Sequence, residues 1–235
     1  MTTYATQSVV GVLASGGLDS SILLAHLLES GLCVQPLYVR FGLAWQEAEL
    51  RALRRFMEAV DSPRLNPITV LEMPVDDLYG DHWSINGLDV PGADTPDEAV
   101  YLPGRNALLI VKAAIFCELH GIEELAMAPL ESNPFPDATP DFFGDLEAVL
   151  NRGMRGRVRL TRPFGHLSKQ QVMELGQSYP LELTFCCIDP RGDSHCGQCN
   201  KCAERQAAFR LIGLDDPTKY LQTGGHAPGS RTHWE

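Results

Sequence analysis

Val9-Val10-Gly11-Val12-Leu13-Ala14-Ser15-Gly16-Gly17-Leu18-Asp19-Ser20-Ser21-Ile22-Leu23-Leu24-Ala25 is the stretch from which the rest of the chain can be read. Its first half is rich in β-branched residues and short enough for a buried strand, over 8–14, and the serine-glycine-glycine turn ends it abruptly. Asp19, Ser20 and Ser21 suit the first turn of a helix, which the apolar residues after them carry over 18–30 until Gly31 stops it. A helix apolar around most of its circumference belongs inside a layered fold. The loop between strand and helix lacks the lysine of a Walker loop. It offers instead the N–H groups of a helix start, glycines that let an anion approach the main chain, and hydroxyls. Ser15, Gly16, Gly17, Leu18, Asp19, Ser20 and Ser21 therefore read as a cradle for pyrophosphate. A double glycine alone would suit a purely structural capped turn; the full string in its strand-turn-helix setting is more specific.

Outward from this point, 33–41 reads as a second strand and 68–73 as a third. Between them, 44–60 forms an amphipathic helix with Leu50, Leu53, Met57 and Val60 on one face and Glu47, Arg51, Arg54 and Glu58 off it. The stretch 84–99 holds Asn86-Gly87, Pro91-Gly92 and Thr95-Pro96-Asp97, turn formers without periodicity, and reads as a long mobile loop of the kind that forms lids. Asn106 is placed to cap an apolar helix over 107–120. A strand at 125–128, a helix at 141–151, a strand at 157–160, a helix at 168–178 and a helix at 200–212 follow, with 223–230 expected to be disordered. The alternation predicts an α/β fold with a doubly wound parallel sheet, whose ligands bind at the C-terminal ends of the strands where the winding reverses. Three units result: an α/β domain over 1–180, a knuckle and helix over 181–215, and a tail over 216–235.

The chain has 235 residues, 44% of them hydrophobic and 21% charged, enough to close one substantial core. A net charge of −11 argues against a broad nucleic-acid-wrapping surface. Residues 1–7 carry no basic and apolar leader pattern, and no apolar run approaches the roughly 20 residues of a membrane span. A cytoplasmic, reducing location is expected. Five of the seven cysteines fall between Cys186 and Cys202, which in that setting points to metal before disulfides. Cys187-x8-Cys196-x2-Cys199-x2-Cys202 supplies four thiolates at spacings typical of tetrahedral zinc, with Gly192 and Gly197 letting the backbone turn tightly. Cys186 and His195 are spare beside that set, and Cys33 and Cys117 belong to core elements. Arg152, Arg155, Arg157, Arg159 and Arg162 make a basic run that reads as a solvated strand face, or as a surface for an acidic partner or a tRNA.

The Ser15-Gly16-Gly17-Leu18-Asp19-Ser20 string resembles the PP-loop of the ATP pyrophosphatase superfamily, which cleaves ATP between its α- and β-phosphates to make an adenylated intermediate. The resemblance implies that Ser15 to Ser21 hold the departing pyrophosphate. Such chemistry asks for positioning and charge neutralisation, so Asp19, cationic side chains and Mg2+ are the expected helpers. Arg105, in Pro103-Gly104-Arg105-Asn106, and Lys169 each stand at a helix start and are the candidate cations; Lys112 reads as a snorkelling residue. Some tRNA-thiolating members of the superfamily carry an iron–sulfur cluster, which leaves that option open beside zinc.

The loop, the Pro-Gly-Arg-Asn segment and the knuckle Cys196-Gly197-Gln198-Cys199-Asn200-Lys201-Cys202-Ala203-Glu204-Arg205, in this order, look like the 7-cyano-7-deazaguanine synthase (QueC-like) family over about 9–209. In that family ATP adenylates 7-carboxy-7-deazaguanine, ammonia displaces AMP to give an amide, and a second activation dehydrates the amide to a nitrile. The resemblance implies Mg-ATP at the loop, Arg105 and Lys169 near phosphates, zinc on the four cysteines, free ammonia as amine and a homodimer. Two stretches depart from the family pattern. Where it has tyrosine, glycine, glutamine, a basic residue and histidine, this chain has Phe41-Gly42-Leu43-Ala44-Trp45-Gln46. Its substrate loop becomes Glu131-Ser132-Asn133-Pro134-Phe135-Pro136-Asp137-Ala138-Thr139, without the family's cysteine and arginine. Phe135 is expected to stack on a purine-like ring and Asp137 to accept hydrogen bonds from its guanidine-like edge, although a Pro-Asp turn explains the same residues. A paralogue that stops at the amide, or joins the activated ring to another amine on a protein, would alter these positions and keep loop and knuckle. A tRNA-modifying enzyme and a non-catalytic ATP sensor are the remaining readings.

Overall fold

A computed structural model describes residues 8–221, so residues 1–7, read as lacking a leader pattern, and the stretch 223–230 expected to be disordered lie outside the described residues. Val9–Leu13 (β1), Cys33–Arg40 (β2), Thr69–Glu72 (β3), Glu124–Ala126 (β4) and Arg159–Thr161 (β5) form one sheet in the order β3-β2-β1-β4-β5. Every pairing in it is parallel. The order runs outward from β1 in one direction to β3 and then reverses to β4 and β5, which puts the switch point between β1 and β4. The doubly wound parallel sheet is the fold read from the sequence.

Helices cover both faces. They are α1 (Leu18–Glu29), α2 (Gln46–Val60), the single turns α3 (Asp76–Tyr79) and α4 (Trp83–Asn86), α5 (Arg105–Leu119), α6 (Pro140–Met154), α7 (Lys169–Gly176) and α8 (Asn200–Leu211). Side chains that alternate along a strand go to opposite layers. Val10, Val12 and Ala14 pack with Ile22 and Leu23 of α1, Leu53 and Phe56 of α2, Met173 of α7 and Phe209 of α8. Leu13, Leu37 and Val39 pack with Ile110, Ala113 and Cys117 of α5. Burial of α1 on nearly all sides agrees with its apolar circumference. In α2, Phe56 is fully buried while Met57 and Val60 are only partly so, because the helix turns its middle, more than its last turn, to the sheet.

Three local readings change. Asn106 does not cap α5: the helix starts one residue before it, after Gly104 in the left-handed region (φ 75°), and the Asn106 side chain reaches Asp137 instead. The stretch 84–99 is not a free lid. It contains α4, and a 3-10 turn at Asp97–Val100 follows it. Its middle is hydrogen-bonded to the cysteine knuckle through Ala93 N to Gln198 O (2.8 Å), Asn200 N to Pro91 O (2.9 Å) and Asn200 Nδ2 to Thr95 O (2.9 Å). The start of the expected tail is also tied down, since Arg205, almost completely buried, donates to Thr218 Oγ1, and Leu221 N donates to His195 O.

Candidate active site and metal centre

A cavity of 340 Å³ opens at the switch point. Leu13 and Ala14 at the end of β1, Tyr38 and Val39 of β2, and Met127 and Ala128 after β4 form its floor. Such a volume lies within the usual range for small-molecule sites. Ser15, Gly17, Leu18, Asp19 and Ser20 line it, whereas Gly16 and Ser21 do not. Gly16 serves the loop's shape: it has φ 81°, and a Cβ there would lie 3.0 Å from Glu49 O and 3.1 Å from Leu53 Cβ. Ser21 is fully buried, and its Oγ has no hydrogen-bond partner among the described residues. The hydroxyls of Ser15 and Ser20 lie 3.0 Å apart, and Ser15 N donates to Ser20 Oγ at 3.2 Å. These bonds hold the loop across the first turn of α1, whose unpaired N–H groups and dipole favour an anion.

The cations arrive from distant parts of the chain. Lys169, the first residue of α7 after the Ser168–Gln171 capping box, puts Nζ 2.8 Å from both oxygens of Asp19. Glu204 of α8 lies 3.4 Å from the same Nζ and 2.7 Å from Lys201 Nζ, so four alternating charges line the cavity. Burial works against the Lys169 ammonium, but Asp19 and Glu204 outweigh it and hold its pKa above the ordinary lysine value. Arg105 lines the cavity from the start of α5, and its Nε is buried without an acceptor among the described residues. A guanidinium on a cavity wall is a natural partner for a carboxylate or phosphate oxygen.

Glu49, Tyr38, Trp45 and Trp83 complete the wall. Tyr38 Oη donates to Glu49 Oε2 at 2.7 Å and to Gln46 O at 3.1 Å. Glu49 is 9% exposed, and burial is the main cause that lifts its carboxyl to about 7, against the opposing pull of Arg105 and the Tyr38 hydrogen bond. Trp45 stacks on Trp83 with ring centroids 5.6 Å apart. No motif marks these four residues. The signal that could have found Glu49 is a charge on the buried side of an amphipathic helix, between Ala48 and Leu50.

Phe135 and Asp137 lie away from this cavity. Phe135 lines a neighbouring cavity of 260 Å³ that shares Asp19, Asn133, Lys169, Lys201 and Glu204 with the first, and it stacks on Tyr101 at 5.0 Å. Asp137 lines neither cavity; its Oδ2 accepts from Asn106 N at 3.1 Å, capping α5 from outside. The arginine run is divided. Arg157 pairs with Glu123, Arg159 with Glu124, and Arg162 sits 4.9 Å over the Phe143 ring.

Cys187, Cys196, Cys199 and Cys202 place their sulfurs within 4.8 Å of one another, so the group could hold a metal ion. Sulfurs on a tetrahedral zinc at about 2.3 Å would be roughly 3.8 Å apart. Here Cys196 and Cys202 are 4.0 Å apart and Cys199 and Cys187 3.9 Å, far beyond a disulfide bond. Backbone N–H groups point at the sulfurs as well, Cys199 N to Cys196 Sγ at 3.3 Å and Cys196 N to Cys187 Sγ at 3.2 Å, as suits thiolate ligands. The spare pair is accounted for separately, since His195 Nε2 accepts from Cys186 N at 3.2 Å and Cys186 Sγ donates to Lys201 O.

A doubly wound sheet with a serine-glycine loop at its switch point and four clustered cysteines defines an α/β protein of the PP-loop kind. The family model for "Queuosine biosynthesis protein QueC" matches residues 9–213. The chain belongs to this family. It is 33% identical to the 7-cyano-7-deazaguanine synthase of Solidesulfovibrio magneticus, over 94% of this chain and 98% of that protein. To the 7-cyano-7-deazaguanine synthase of Methanopyrus kandleri it is 34% identical, over 90% of this chain and 98% of that protein. Among solved structures, a 4-thiouridine synthetase–RNA complex with bound ATP superposes with a TM-score of 0.49 at 13% identity, covering 89% of this chain and 51% of that one. Among the described residues no helix is long and apolar enough to cross a membrane.

Proposed function

We propose that the protein is an ATP-dependent carbon–nitrogen ligase that turns 7-carboxy-7-deazaguanine into 7-cyano-7-deazaguanine. The observation that carries the reading is the convergence on one cavity of the loop, Lys169 and Arg105, an anion cradle flanked by two cations. The synthase names of relatives matched along nearly their whole length support the choice of substrate. Ser15, Gly17, Leu18 and Ser20 bind the β- and γ-phosphates, and Lys169 neutralises charge on the departing pyrophosphate. Arg105, on the cavity wall, orients the substrate carboxylate or the α-phosphate. Mg2+ is usually held by one or two carboxylates together with substrate phosphates, and Asp19 is the carboxylate the loop supplies for it. Zinc on the four cysteines would supply no chemistry at the reacting carbon, and holds α8 with Lys201 and Glu204 against the loop; the sulfur spacing supports zinc over an iron–sulfur cluster. Phe135 offers an aromatic face in the adjoining cavity, and Asp137 supports Arg105 through its neighbour Asn106. The amine is free ammonia, the compartment the cytoplasm and the working unit a homodimer, for which Ile115 and Leu119 of α5 and Val149 of α6 are exposed apolar residues.

One observation favours a second reading. The buried Phe41, Leu43 and Trp45 stand where the family pattern is polar, and the Trp45–Trp83 stack walls the cavity, so a paralogue that stops at the amide or uses a larger amine, including one on a protein, has a basis here. Pyrophosphate release on adding 7-carboxy-7-deazaguanine and ammonia, with mass spectrometry of the product, distinguishes these outcomes. Nitrile is expected; amide alone moves the reading to the paralogue, and ATP binding without turnover of any carboxylate moves it to a sensor. Asp19→Ala and Ser20→Ala should abolish pyrophosphate release and leave bound metal, measured by elemental analysis, unchanged.

A further inference from the structure

Glu49 is a carboxylate that pyrophosphate binding does not use. It sits on α2 at the wall of the cavity, 9% exposed, with Oε2 taken by the Tyr38 hydroxyl at 2.7 Å. Two neighbours fix it there. Its main-chain oxygen lies against Gly16 of the loop, and Tyr38 is anchored a second time on Gln46 O. A solvated acid on the outer face of an amphipathic helix needs no such support, and α2 already places Glu47 and Glu58 on that face. A buried carboxyl beside a reaction cavity is the arrangement by which proteins prepare a general base.

The reaction needs one, more than once. When ammonia attacks the acyl adenylate, a C–N bond forms, the C–O bond to AMP breaks, AMP leaves with the electron pair, and the attacking nitrogen must lose one of its three protons to become an amide. In the second activation the amide oxygen attacks the α-phosphorus and pyrophosphate leaves. The nitrogen then loses two further protons as the C–O bond breaks and the nitrile and a second AMP form. Atoms balance with ATP and ammonia alone, provided a group in the cavity accepts the N–H protons and passes them to solvent. The other two carboxylates on the cavity wall are engaged by cations, Asp19 by Lys169 and Glu204 by Lys169 and Lys201, and the hydroxyls and cations beside them are unsuited to that task near neutral pH.

We propose that Glu49, held by Tyr38, is the general base that removes the N–H protons in amide formation and in the dehydration to nitrile. This rests on the ligase reading given above. The groups facing Glu49 are Tyr38 from β2, Arg105 from α5 and Cys186 from the segment before the knuckle. Burial, opposed by Arg105 and Tyr38 and aided by Cys186, sets its carboxyl at about 7, which matches a base working near neutrality. The base acts when ionised, so the step it serves is lost as the pH falls through that value.

The test separates adenylation from nitrogen chemistry in the full-length protein. Carboxylate-dependent exchange of labelled pyrophosphate into ATP reports adenylation, and mass spectrometry reports amide and nitrile as a function of pH. In Glu49→Gln, whose side-chain oxygen still accepts from Tyr38, exchange is retained, and amide formation falls by about 10²- to 10⁴-fold, the usual share of a general base. With rates expressed per unprotonated ammonia, the acidic limb of the wild-type rate profile is absent from what remains. Glu49→Asp keeps that limb at a reduced rate. Wild-type amide and nitrile rates with an unchanged limb in Glu49→Gln overturn the base, as does a parallel loss of exchange, which marks a structural role. Wild-type protein without exchange overturns the ligase reading itself, and the base with it.

Discussion

Asp19 and Lys169 are 150 residues apart in the chain and 2.8 Å apart in space. Each is legible as a candidate because it begins a helix, where a charge meets unpaired backbone groups. Their pairing is not legible, since it depends on α7 packing across α1. Glu49 shows the opposite limit. Its residue type is plain but its burial is a property of the packed helix. That burial has a consequence for stability. A carboxyl raised from its ordinary 4.5 to about 7 in the folded state favours folding fully below the unfolded value, and the contribution is lost as the pH rises towards and through 7. Glutamine has no such dependence. Urea unfolding should therefore show Glu49→Gln gaining on the wild type between pH 4.5 and pH 8, by about 3 kcal/mol at 1.36 kcal/mol per pKa unit. An unchanged difference across that range would show Glu49 to be ionised throughout.

At the scale of elements, Gly176 at the end of α7 lies against α1. A Cβ added there would fall 2.5 Å from Cγ1 and Cδ1 of the fully buried Ile22. Overpacking of this kind typically costs about 1–3 kcal/mol. Gly176→Ala should be destabilised by that amount in denaturant unfolding, and because α7 opens with Lys169, its affinity for ATP should fall as well. Ile22→Val in the same chain should restore part of both. The knuckle is a second element with two attachments, to 91–95 on one side and to Thr218 and Leu221 on the other. Removing the proposed zinc with a chelator should lower the unfolding midpoint and expose 91–95 to proteolysis before the sheet is affected, because structural metal binding is folding energy for the segment that holds it. Equal protection of 91–95 with and without metal would leave the hydrogen bonds alone holding that segment. The short single turns α3 and α4 carry no capping pattern strong enough to mark them in advance, and their place depends on contacts such as Tyr79 Oη to Pro103 O.

For the whole molecule, the cavity draws its walls from β1, β2, α1, α2, α5, α7 and α8, so a ligand there touches elements from both layers of the fold at once. Anything that binds the folded chain alone stabilises it by mass action, about 2.7 kcal/mol at a hundredfold excess over Kd. Mg-ATP should accordingly raise Tm in a concentration-dependent way, and Lys169→Met should weaken the response; a Tm indifferent to Mg-ATP would count against nucleotide at the loop. The sequence by itself determined the alternation of strands and helices, the parallel winding, the loop at the first turn of α1 and the four cysteines that come together. These are local or periodic features, set by backbone propensity, hydrophobic period and short ligand spacing. Only the tertiary structure decided that Lys169, Glu204 and Lys201 join Asp19 in one line of charge, that Asp137 turns away to cap α5, and that Glu49 and the two tryptophans face the cavity. The physical reason is that burial and pairing depend on which elements the sheet order brings together, and no residue carries that information in its own neighbourhood.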